Sequence, residues 1–79
     1  MWVYVCKLCG REFSDVVELF AHVELFHLTD ERVDRVLQEW RWAWAAGYKV
    51  SRMERFRDLR EMGLAERRWV RRSAFFKFP

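Results

Sequence analysis

The stretch that most constrains this 79-residue chain runs from residue 4 to residue 27. It reads Tyr4-x-Cys6-x2-Cys9-x3-Phe13-x5-Leu19-x2-His22-x4-His27, and it holds both cysteines and both histidines of the chain. The spacing C-x2-C-x12-H-x4-H is the ligand pattern of a structural zinc site. Two thiolates this close sit on a tight knuckle, and Gly10 directly after Cys9 permits its backbone turn. His22 and His27, on one helix, are expected on nearly the same face, where they complete a tetrahedron. Two other readings compete. Cys6 and Cys9 as a redox pair would need a βαβ pattern around them, and none is present. A disulfide would need an oxidising compartment, and no signal peptide precedes the motif.

The same stretch resembles a Cys-Cys-His-His (ββα) zinc finger, and the resemblance covers about a third of the chain. It implies that Tyr4, Phe13 and Leu19 form the finger's small core, with one Zn2+ held by Cys6, Cys9, His22 and His27. Seventy-nine residues make one domain at the small end. Chains this short bury a thin core and need a staple, which the metal supplies. A hydrophobic fraction of 52% is too high for a disordered tail. No apolar run approaches a membrane span. The expectation is a soluble intracellular protein, cytoplasmic or nucleoid-associated (nuclear if eukaryotic).

Charge is divided unevenly along the chain. Residues 1–29 carry two bases against four acids, a net −2, whereas residues 30–79 carry thirteen bases against eight acids, a net +5. An anionic partner therefore belongs to the second half. Asparagine is absent, Gln38 is the single glutamine, and arginine far outnumbers lysine. Depletion of thermolabile amides hints at a thermophilic source. Small single-finger proteins of this kind resemble those of archaea and their viruses.

Trp2 to Val5 is read as a first strand and Arg11 to Ser14 as a second. The finger helix is expected from Asp15, where Asp15-x-x-Glu18 forms a capping box, to about Leu28. Leu19, His22 and Phe26 face the metal. Val16, Phe20 and Val23 form a second apolar stripe, which the rest of the chain should cover; a partner-binding surface is the alternative. Thr29-Asp30-Glu31 starts a second helix, with the Thr29 hydroxyl as its cap, Val33, Val36, Leu37, Trp40 and Trp44 on one stripe and Gly47 at its end. Trp42 points away from the stripe and is read as a covering surface residue, with contact to a partner as the alternative. Ser51-x-x-Glu54 opens a third helix to Met62, with Met53, Phe56 and Leu59 inward and Gly63 as its stop. Two strands, 66–70 and 74–78, are expected to pair through Arg71-Arg72-Ser73, with Trp69, Phe76 and Phe78 as apolar members. A fourth helix over 65–72 is the other reading of this segment.

Residues 30–78 resemble, in pattern only, a winged helix-turn-helix, with Ser51 opening the recognition helix and the basic hairpin as the wing. The expected fold is thus α+β: a finger (1–28) packed on a helical hairpin and a wing-like hairpin (29–79). A finger on a plain helical hairpin is the rival arrangement. In DNA-reading fingers three helix positions reach base edges; here they are Asp15, Glu18 and Ala21, and acids are repelled by phosphate. The finger is therefore read as structural. The candidate nucleic-acid contacts are Ser51, Arg55 and Arg57 on the third helix and Arg67, Arg68, Arg71, Arg72 and Lys77 beyond it. The expected function is nucleic-acid binding, duplex DNA favoured, in transcription regulation or an accessory role. The rival is a protein-interaction module, or a homodimer, using the apolar finger helix and Trp42. No membrane or small-molecule partner is expected. Nor is enzymatic activity, since four protein ligands leave a metal no open position.

Overall fold

A computed structural model of the protein describes residues 1–71. In chain order the elements are β1 (Trp2–Cys6), β2 (Glu12–Phe13), α1 (Val16–Phe26), α2 (Glu31–Ala45), α3 (Arg52–Glu61) and β3 (Ala65–Trp69). The class is α+β. One antiparallel sheet has the order β2-β1-β3, so the N-terminal hairpin is widened by a strand from the other end of the described chain. Tyr4 stands opposite Phe13, and Trp2 to Cys6 run opposite Trp69 to Ala65. Beyond the strand ends, Val70 N–H donates to Met1 C=O and Lys7 N–H donates to Leu64 C=O.

Side chains alternate across a strand, so Tyr4, Cys6, Phe13 and Ala65 share one face. That face carries the helices. Cys6 and Ala65 join Leu19, Val23, Val33, Val36, Leu37, Phe56, Leu59 and Leu64 in one buried cluster, with Tyr4 and Phe13 packed against it. The opposite face buries Val3 and Val5. Burying each larger member of the cluster is worth roughly 1.5–3 kcal/mol.

Local signals explain the helix limits. The Asp15 carboxylate accepts from Val17 N–H and caps α1, but Glu18 does not return a bond to complete the expected capping box. In α2 the cap is Asp30, accepting from Arg32 N–H, rather than the expected threonine. Ser51 and Glu54 form the full capping box of α3. After α3 the chain turns at Gly63, with φ +74°, a value β-carbon-bearing residues avoid. Gly63 N–H donates to Arg60 C=O and Leu64 N–H to Leu59 C=O, the paired bonds of a Schellman stop. Leu64 and Leu59 are both buried there, and this stop aims β3 back along β1.

The second stripe of α1 is covered, as expected. Val23 is buried, Val16 packs against the core, and Phe20 meets the Trp40 ring edge to face at 6.1 Å. Trp40 donates its indole N–H to Asp58, tying α2 to α3.

Three expectations of burial fail. Trp44 is 69% exposed and Met53 72% exposed, although both were placed on inward stripes. Trp44 lies in the last turn of α2, at a hollow it shares with Glu24, Trp40 and Arg55. Met53 sits in the first turn of α3, on the flank beside Arg57 and Arg60. Trp42 is 75% exposed and covers no core. The expected strand at 66–70 is present as β3 (Ala65–Trp69), and the alternative of a fourth helix over 65–72 is not, among the described residues. That strand pairs with β1, whose free edge offers a full ladder. The expected partner, 74–78, lies outside the described residues, and a winged arrangement is not seen among those described.

Candidate metal centre and basic surface

Cys6 ends β1 and Cys9 closes the knuckle, where Gly10 N–H donates to Cys6 C=O at 2.7 Å and Cys6 N–H donates to Arg11 C=O. Gly10 has φ +83°. His22 projects from α1 towards this knuckle. The expectation that His22 and His27 share a helical face is corrected, because residues five apart on a regular helix point about 140° apart. The chain resolves this by ending α1 at Phe26. His27 has φ −126° and ψ 25°, which swings its ring back to His22.

The donor atoms of Cys6, Cys9, His22 and His27 all lie within 4.8 Å of one another. Cys9 Sγ is 3.2 Å from His22 Nε2, and the two imidazole Nε2 atoms are 3.1 Å apart. A tetrahedral ion with sulfur at about 2.3 Å and nitrogen at about 2.0–2.1 Å needs neighbouring donors roughly 3.3–3.8 Å apart. The observed set brackets that range. Both cysteines are free thiols, so the disulfide reading fails among the described residues.

Burial shifts His22 and Cys6 in opposite directions. Burial lowers the His22 pKa, and His27 and Arg11 nearby lower it further, so the imidazole is neutral with a lone pair to give. Burial raises the Cys6 thiol, while hydrogen bonds from the backbone of Leu8 and Cys9 act in the opposite sense. Those two N–H groups would satisfy a thiolate, and a bound cation deprotonates a coordinating thiol outright. Phe13 and Phe26 flank the His22 ring at centroid distances of 5.0 and 5.3 Å, fixing its plane.

The basic candidates do not share one surface. The Ser51 hydroxyl is occupied in capping α3, accepting from Glu54 N–H. Arg55 turns towards α2, its guanidinium 5.4 Å from the centre of the Trp40 ring. Arg68 is paired with Glu66 at 2.6 Å and with Glu12 at 3.4 Å, on the sheet face away from the helices. Arg71 is exposed at the end of the described chain, and Arg72 and Lys77 lie outside it. Arg57 and Arg67 are brought together. They line a hollow of about 370 Å³ with Met53, Glu54, Phe56 and Arg60.

Arg60 lines the same hollow, although it is not among the candidates read from the sequence. Its signal was its place on the Met53–Arg57 flank of α3, three residues from Arg57. The pairing of Trp2 with Trp69 beside Arg67 was also missed, because it spans the whole described chain. Comparison of the chain with protein-family models, with curated proteins and with solved structures finds no match in any of the three.

Proposed function

We propose that this chain is a small zinc-stabilised protein that binds nucleic acid, in the manner of a transcription regulator or accessory factor. Two thiols and two imidazoles converging on one point suit zinc by donor type and geometry. Four protein donors fill a tetrahedral ion, so the metal holds the fold rather than reacting. The observation that carries the partner assignment is the hollow between α3 and β3. Arg57, Arg60 and Arg67 line it from two elements, and none of the three is in an ion pair among the described residues. Arg57 lies within electrostatic reach of Glu54 in the same lining, and arginines outside ion pairs are the groups that displace counterions from phosphate.

The test is binding of a labelled oligonucleotide by the zinc-loaded chain across a salt series. Arg57→Ala plus Arg67→Ala should weaken binding and flatten the log–log salt slope by about one to two units. An unchanged slope and affinity would remove the assignment.

One observation favours the rival reading of a protein-interaction module. Trp44 and Tyr48 are exposed side by side at the end of α2, and Trp42 is exposed on another face of that helix. An apolar interface there would be nearly insensitive to salt, which separates it from phosphate binding in the same titration.

A further inference from the structure

From the hollow assigned above to phosphate, we infer that the strand it takes is single, with a base stacked on Trp69. The inference rests on the nucleic-acid reading and names the form of the partner. Two features set it. The first is the face that α3 turns outward. At about 100° per residue, Glu54 and Glu61 lie nearly opposite Phe56. Glu61 is exposed on that outward face and Glu54 also lines the hollow, so a duplex groove receiving α3 would meet acids beside the arginines. The arginines are set on one flank, towards the sheet, Arg57 and Arg60 from α3 and Arg67 from β3.

The second feature is the aromatic end of the sheet. Trp2 and Trp69 stand directly opposite each other on β1 and β3, on the face that also carries Tyr4 and Arg67. Their ring centroids are 5.2 Å apart at an interplanar angle of 76°, so each ring fixes the other's plane. Tyr4 packs edge to face on Phe56 below α3, whereas Trp2 and Trp69 remain 43% and 59% exposed. Arg67 lies over the Trp2 ring at 4.0 Å and also lines the hollow, which joins the arginines to the ring pair. An exposed ring held in one orientation beside unpaired arginine is a stacking platform, and little rotamer entropy is lost when a base covers it. The carboxylate of Glu54, also in the lining, is engaged by Tyr48 Oη–H and Ser51 N–H.

The test compares fluorescein-labelled oligothymidylate of 15 nucleotides with a 15-base-pair duplex, by anisotropy at two salt concentrations. The zinc-loaded chain should bind the single strand at least tenfold more tightly. Trp69→Ala should weaken single-strand binding by roughly tenfold, leaving the salt slope unchanged, because stacking releases no counterions. Trp69→Phe should keep most of the affinity, and it guards against loss of fold, as does the zinc content of both variants. Duplex binding as tight as single-strand binding would overturn the inference. So would full single-strand affinity in Trp69→Ala; if Arg57→Ala plus Arg67→Ala still lost binding, phosphate recognition would survive without the stack. Binding of neither probe would overturn both readings.

Discussion

At the scale of single residues, His22 and Arg68 show how placement decides what a titratable or charged group can do. His22 is buried between two phenylalanine rings, and its pKa is pushed below its ordinary value of 6.5. The folded chain therefore binds fewer protons than the unfolded chain in the interval below 6.5. Its contribution is complete above that pH and is lost as pH falls towards the depressed value. Metal binding adds to the same trend, since protons compete for the same lone pairs. Zinc affinity, measured by competition with a chromophoric chelator, should fall at least tenfold between about pH 7 and pH 5.5. A flat profile would mean that the imidazoles are not ligands. Arg68 makes the opposite point. Its charge is spent on Glu12 and Glu66, so it adds to the basic count of the sequence but little to the field a partner meets.

At the scale of elements, the apolar surface of α1 links the metal site to the rest of the fold. One stripe, Leu19 and His22, faces the sheet and the knuckle; the other, Val16, Phe20 and Val23, faces the later helices. Phe20 meets Trp40, and Trp40 holds Asp58 of α3, so three helices meet around one indole. Phe20→Asp would place a carboxylate against that ring and remove part of the cover of α2. It should cost roughly 2–3 kcal/mol of stability in the full chain, read as a lower urea midpoint. In a peptide of residues 1–29 the same change should leave zinc affinity nearly intact. An unchanged midpoint in the full chain would show that the second stripe holds nothing.

For the whole molecule, the decisive contact is the ladder between β1 and β3. It brings residues 64–70 beside residues 1–7 and ends at Cys6, the first metal donor. Structural zinc is worth on the order of 10–16 kcal/mol in finger peptides, which exceeds the stability of most domains this size. Chelation should therefore unfold the helices together with the hairpin. We expect one thermal transition, coincident by near-ultraviolet and far-ultraviolet circular dichroism, and its loss on exhaustive chelation. Two transitions, or a native near-ultraviolet spectrum without metal, would show that the finger and the helices are separate units.

What the sequence determined by itself is the part written in short spacings. The Cys6–Cys9 knuckle, the histidine pair, the Asp15 and Ser51 caps and the Gly63 stop each act within a few residues, where local chemistry has few solutions. The covered second stripe of α1 was also legible, because helical periodicity shows apolar surface that a lone finger cannot bury. What only the tertiary structure decided are matters of cover and edge. Trp44 keeps the apolar spacing of α2 and is exposed all the same, because spacing marks a face and carries no information about what covers it. The strand at 65–69 was foreseen, but its pairing with β1 was not, since any free edge offers the same backbone bonds and the choice spans sixty residues of chain. That choice set Arg67 beside Trp2 and Trp69, and it turned Arg68 to the far face among carboxylates, because neighbours on a strand point to opposite sides of a sheet.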